Sequence, residues 1–174
     1  MRYVALLRGI NVGGNRKVSM IELRRLFEDM GYTDVSTYIN SGNVIFSAEV
    51  KPNAADLERA IAERFGFAVD TLVISQAKLT SVAEAIPDKW TNDAEQRTDV
   101  VFLFPDIDKP DILATIGYNP AVESMLYLPG AIIMNISRIN QPKSSLLRLI
   151  STSLYQRMTI RNANTVRKLA VLVG

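Results

Sequence analysis

The sequence predicts an α+β protein made of two tandem ferredoxin-like subdomains of βαββαβ type, the second modified at its C-terminus. Three observations lead there. Short apolar runs and amphipathic helical stretches alternate as βαββαβ over residues 1–75, a βαββα order returns over 98–174, and a helix with a polar connection, 76–97, lies between.

Residues 3–7 read as a buried strand. Ser19 and Glu22 form an S-x-x-E capping box, so a helix starts near Met20, with Leu23, Leu26, Phe27 and Met30 on one face and Gly31 suited to its C-terminal cap. Strands follow over 35–39 and 44–47, joined across Asn40-Ser41-Gly42-Asn43, four residues suited to tight-turn geometry. Pro52 and Asn53 open a second helix with Leu57, Ala60, Ile61 and Phe65 on one face, closed by Gly66, and 71–74 supplies another strand. Ser75 caps a third helix carrying Leu79, Val82, Ala83 and Ile86, which ends at Pro87 before the polar stretch DKWTNDAEQR.

In the second half, 99–104 reads as a strand and Pro110 opens a short helix ending at Gly117. A hairpin runs through 125–128, Pro129-Gly130 and 131–137, and 144–157 reads as one helix. The last strand of the ferredoxin-like order is expected to be replaced by TIRNANT and a short helix with Val166, Leu169, Ala170 and Val173 on one face.

Composition bounds the chemistry. With 48% hydrophobic and 22% charged residues the chain is too apolar for disorder, so a packed fold is expected. There is no cysteine and no histidine, which removes disulfides, thiolate nucleophiles, zinc–thiolate sites, imidazole bases and Ser-His-Asp triads. Carboxylate, Lys, Tyr, Ser and Thr chemistry remains; no metal site or cofactor is expected, and no catalytic constellation is recognisable. No run approaches the roughly twenty apolar residues of a membrane span, and the polar loop after MRYVALLRGI carries no small-residue cleavage site, so a cytoplasmic protein is expected.

Charge is uneven. All 18 acidic residues precede Ser124, whereas Arg138, Lys143, Arg148, Arg157, Arg161, Arg167 and Lys168 follow it. Such a tail suits either an anionic partner or docking on the chain's own acidic half.

The stretch LLRGINVGGNRKVSM passes from a strand through a Gly-rich turn to a capped helix start. Unpaired backbone amides and the helix dipole favour an anion there, and Arg8, Arg16 and Lys17 add cations. On this reading Gly13 and Gly14 permit close approach to a ligand, and Asn11 and Asn15 tolerate left-handed geometry while donating hydrogen bonds. The loop matches neither G-x-x-x-x-G-K-[ST] nor G-x-G-x-x-G. The alternative is a structural turn that needs glycine for positive φ, with Arg8 paired to a carboxylate. Asn40, Ser41 and Asn43 are open to the same two readings. In TIRNANT, Arg161 and Asn162 stand among five polar side chains before a helix, more than capping requires.

LLRGINVGGNRKVSM, YINSGNVIF and TIRNANTVRKL closely resemble three signature stretches of the bacterial family catalogued as domain of unknown function 1697 (DUF1697), and the resemblance runs end to end. It implies a two-part ferredoxin-like α+β fold in a bacterial protein and no established activity. Ala163 departs from the pattern, which has Trp there, so an aromatic neighbour is missing or supplied elsewhere.

The leading expectation is a binding module for a phosphorylated ligand, a nucleotide or a nucleic-acid backbone, using Arg8–Lys17, the NSGN turn and the basic tail. The aromatic pattern of RNA-recognition modules is absent. An enzyme acting on a phosphorylated small molecule would use Arg8 and Lys17 to stabilise charge and Glu22 or Asp34 as base, but capping and turn formation already explain those carboxylates. A protein-interaction scaffold is the third reading.

Overall fold

A computed structural model describes residues 1–174 and divides them into two units, Met1–Thr80 with Leu169–Gly174, and Ser81–Lys168. In the first, β1 (Arg2–Leu7), α1 (Met20–Asp29), β2 (Thr33–Tyr38), β3 (Asn43–Ser47), α2 (Ala54–Phe65) and β4 (Thr71–Ser75) form an antiparallel sheet of order β2-β3-β1-β4. This is the ferredoxin-like arrangement.

Local chemistry sets the helix ends. The Ser19 hydroxyl accepts the Glu22 amide at 3.3 Å, Asn53 accepts the Ala55 amide at 3.1 Å, and Gly66 closes α2 in the left-handed region at φ 82°. Alternate residues of β1 (Tyr3, Ala5, Leu7) face the helices, and Leu23, Leu26 and Phe27 of α1 and Leu57 and Ile61 of α2 pack with them. Phe46 gathers Tyr3, Phe27 and Tyr32, with ring centroids 6.0, 5.1 and 4.8 Å away. The outer strand β2 is irregular: its register against β3 slips between Thr33 and Ser36, where the exposed Asp34 has φ 51°. Asp34 therefore shapes a bulge.

After α3 (Gln76–Glu84), whose first turn is capped by Ser75, the chain enters β5 (Gln96–Leu103) three residues before the apolar run suggests. The second unit continues with α4 (Ile112–Ile116), β6 (Glu123–Leu128), β7 (Ala131–Ser137), a 3-10 turn (Arg138–Lys143), α5 (Ser145–Leu149), α6 (Ser153–Gln156) and β8 (Met158–Asn162). Its sheet order is β6-β7-β5-β8, the same topology.

Two expectations are corrected here. The final strand is not replaced: β8 contains TIRN and pairs antiparallel with β5 from Leu103↔Met158 to Asp99↔Asn162. Its backbone pairing and the burial of Met158, Thr159 and Arg161 outweigh the loop-like polarity of the sequence. Nor is 144–157 one helix. Thr152 is extended, its hydroxyl donates to Leu149 O at 2.7 Å and accepts the Tyr155 amide at 3.3 Å, and this local bonding separates α5 from α6. The departures from the standard order are thus the broken helix and a helix added after the final strand. α7 (Ala163–Val173) follows β8 directly, and Ala163, where a Trp is expected, is fully buried.

Buried Glu123 anchors the α5 start, accepting the Ser144 hydroxyl at 3.0 Å, the Ser145 amide at 3.1 Å and the Ser145 hydroxyl. No helix is long and apolar enough to cross a membrane.

Phe46→Ala should lower the unfolding free energy by about 3–5 kcal/mol through lost burial and an unfilled cavity. Urea titration measures this, and a decrease under about 1 kcal/mol would mean the aromatic cluster is not the core of the first unit.

Candidate functional site

β1 ends by handing its backbone to two other segments: Leu7 N donates to Gly42 O at 2.8 Å and Arg8 N to Asp70 O at 2.9 Å. Buried Ile10 then sets the loop on the core, and residues 11–16 fold into a miniature hairpin. Asn11 N donates to Arg16 O at 3.1 Å and Asn15 N to Val12 O at 3.3 Å, with Gly13 and Gly14 at φ 61° and 80° between them. Two successive positive φ values are the signature of a type I′ turn. A Cβ on either glycine would meet nothing within 4 Å, so it is backbone conformation, not close packing within the protein, that calls for glycine here.

The hairpin is locked by Asn11, itself at φ 55°. Its side-chain amide donates to Val18 O at 3.0 Å and Asn40 O at 2.9 Å, while its oxygen accepts the Val18 amide at 2.8 Å. The NSGN turn is thereby joined to the loop. Within that turn, fully buried Asn43 donates to Tyr38 O and the Ser41 hydroxyl, both at 2.9 Å. Gly42 lies so close to Ile10 and Leu7 that a Cβ would sit 2.7 Å from Ile10 Cδ1 and 2.8 Å from Leu7 Cβ.

The residues singled out in the first unit therefore come together on one surface but differ in role. Asn11, Ser41 and Asn43 hold the frame, and Arg8 is half-buried beside it. Gly13, Gly14, Asn15, Arg16, Lys17 and Asn40 are exposed. Neither Arg16 nor Lys17 has a carboxylate partner, although Arg16, at φ 51°, reaches the Phe67 ring at 5.9 Å. Two apolar residues that sequence reasoning missed flank them: Val12 is 70% exposed and Ile39 48% exposed, the latter at φ 51°, a genuine outlier for a β-branched side chain. Their signal was present, since each sits beside a Gly- or Asn-rich turn. Glu22 lies 3.8 Å from Arg25 on the α1 surface, and Asp34 on its bulge.

Arg161 and Asn162 belong to the second unit. Arg161 is 7% exposed and donates to the Thr159 hydroxyl at 3.0 Å and Ile160 O at 2.9 Å; burial pulls its guanidinium down to about 10, so it remains charged at neutral pH. The Asn162 side chain caps α7 by accepting the Asn164 amide at 2.8 Å. Other tail cations are engaged within the same unit. Arg157 forks onto Asp106 at 2.9–3.0 Å and lies 4.3 Å from the Phe104 ring centroid, and Arg148 and Arg167 donate to main-chain carbonyls, whereas Lys143 and Lys168 are exposed.

The second unit also holds a cavity of about 540 Å³ under its broken helix layer. Arg97 Nε donates to Asp99 Oδ2 at 2.6 Å on its wall, and Asp99 is only 3% exposed. Burial pushes the Asp99 carboxyl up, against the opposing pull of Arg97. A charged pair opening the apolar run VVFLF was the sequence signal for it. No group of three or more acidic residues is arranged to hold a metal ion.

Residues 1–132 match the profile of a family described as "Protein of unknown function (DUF1697)". Among solved structures, the chain resembles the conserved bacterial protein SP0830 from Streptococcus pneumoniae, with a TM-score of 0.82 and 29% sequence identity over 99% of this chain and 98% of that one. No protein of curated description matches.

Asn11→Ala should destabilise the protein by about 1–3 kcal/mol, because it unpairs three backbone groups of Val18 and Asn40 and forces alanine into left-handed geometry. Asn11→Gly should recover only the backbone share; equal urea midpoints for the parent and both variants would show that the amide does not hold the loop. The raised Asp99 carboxyl fixes a second expectation. Its folded form holds the proton more tightly than the unfolded chain, so its contribution is complete below the ordinary Asp value of about 3.9 and disappears as pH rises through the folded value. Asp99→Asn should accordingly flatten the change in melting temperature as pH rises above the ordinary Asp value. Parallel profiles would contradict it.

Proposed function

We propose that this chain, which belongs to the DUF1697 family, is a binding module for a phosphorylated ligand of nucleotide or nucleic-acid type, held at the tip formed by residues 11–17 and the turn after β2. One observation carries the reading: Arg16 and Lys17 stand exposed without carboxylate partners on a loop locked at its base by Asn11. The loop backbone that carries them is already held by Asn11, so it needs no ordering on meeting an oxyanion, and guanidinium and ammonium groups are the usual partners of phosphate oxygens.

The apolar flank supports the same ligand class. Val12 and Ile39 offer surface to the sugar or base beside a phosphate, and the left-handed Ile39 is the kind of local strain that collects at binding sites. Gly13 and Gly14 expose the turn's amides as further donors. Ser19 already occupies the Glu22 amide, so the helix start has a lesser part than the turn. Of the tail cations, which lie in the second unit, the arginines are bound within that unit and only Lys143 and Lys168 stand exposed. A bacterial cytoplasm, where nucleotides and nucleic acids are abundant, is part of the proposal; the bacterial structural relative supports the bacterial source.

Fluorescence anisotropy with a labelled single-stranded oligonucleotide, titrated at several salt concentrations, tests this. Removing both cations with Arg16→Ala and Lys17→Ala should weaken binding at low salt by about tenfold or more and lower the salt slope by about 0.7 for each phosphate no longer neutralised. Gly13→Val, which strains the turn, should also weaken it while melting as a folded protein. A parent that binds neither the oligonucleotide nor nucleoside triphosphates at low salt, or a folded double variant that binds equally well, overturns the reading.

A further inference from the structure

The second unit repeats the topology of the first but fills it differently. Along β5 the row facing the helices runs Arg97, Asp99, Val101, Leu103; only the last two join the apolar core. The corresponding row of β1 is Tyr3, Ala5, Leu7, all apolar. A charged pair is therefore no requirement of this fold. Burying Asp99 beside a half-exposed Arg97 costs desolvation that a pair of apolar residues would avoid.

The helix layer differs at the same place. In the first unit, the twelve-residue α2 buries Leu57 and Ile61. In the second, the connection from β7 to β8 breaks into a 3-10 turn and the short α5 and α6, leaving the cavity of about 540 Å³. Its size lies within the range of small-molecule sites. Ile136, Leu146, Ile150 and Ile160 give it apolar walls, with Arg97, Asp99 and Arg138 grouped among its polar lining.

We infer that this cavity binds a small organic acid, its carboxylate held by Arg97 and its apolar body lying against Ile136, Leu146, Ile150 and Ile160. Arg97 uses Nε on Asp99, and its two terminal nitrogens make no hydrogen bond within the protein, which leaves the fork that matches a carboxylate. Asp99 is a positioning residue: its hydrogen bond with Nε fixes the plane of the guanidinium. Arg138, tied to Asp93 O, Asn92 Oδ1 and Gln141 Oε1, adds a second fixed positive charge. Two arginines against one carboxylate make the lining net positive, so the cavity selects anions over cations of the same shape.

Octanoate and octylamine, matched in apolar length and opposite in charge, are the probes, followed by methyl NMR on the intact chain. Octanoate should shift the methyl signals of Ile136, Ile150 and Ile160 in a saturable way, while octylamine shifts them at least about tenfold more weakly. Arg97→Gln should weaken octanoate by about tenfold or more. Ile150→Trp, at a position 54% exposed and therefore tolerant of bulk, should abolish binding by filling the cavity and serves should Arg97→Gln fail to fold. Equal binding of the two probes, unchanged octanoate affinity in folded Arg97→Gln or Ile150→Trp, or no saturable shift at these methyls overturns the assignment.

Discussion

The side-chain amide of Asn11 commits both donors and its oxygen to main-chain groups of Val18 and Asn40, and the tip of the first unit takes its shape from that commitment. Few residues could replace it. The position is left-handed, which favours glycine or asparagine, yet glycine brings no amide and aspartate no donor. With Val18 held, α1 starts at a defined point; with Asn40 held, the turn after β2 lies against the loop. The exposed cations at Arg16 and Lys17 inherit their placement from this bond set.

The two units apply one topology to different ends. Each has a central strand paired on both sides, β1 in the first and β5 in the second. In the first, long capped helices close an apolar core around Phe46, and the distinctive chemistry lies outside the sheet in a loop. In the second, Glu123 anchors a short α5, Thr152 interrupts the helix layer, and the distinctive chemistry is internal. The same strand order thus supports a surface feature in one unit and a cavity in the other, which follows from the helices rather than the sheets.

Much of the fold was legible because its signals are local. The Ser19 and Asn53 caps, the Gly66 terminator and the NSGN turn each depend on a few adjacent residues, and the helix faces follow from spacing alone. What escaped depends on distant partners. TIRN looks like a loop until β5 supplies a ladder and a buried setting for Arg161. Residues 144–157 have helical spacing, and only the bonding of Thr152 to its neighbours shows where the spacing is interrupted. The loop from Arg8 to Lys17 was legible as a turn rich in positive φ, but its union with Asn40 was not, since nothing in either segment names the other. Asp99 was read only as the start of an apolar strand; its burial and its place beside a cavity depend on helices some fifty residues away in sequence.

The slipped register of β2 has a consequence for the protein in bulk. A regular outer strand presents evenly spaced donors and acceptors that a strand from another molecule can read, and each added strand offers the same invitation to the next. Between Thr33 and Ser36 that spacing is broken, and the left-handed Asp34 carries an exposed carboxylate at the irregular point. A bulge increases local twist and a charge resists desolvation, so this border of the sheet does not propagate from copy to copy. The first sheet is finite along that side by construction, and crowding the protein leaves it a poor seed for fibres there.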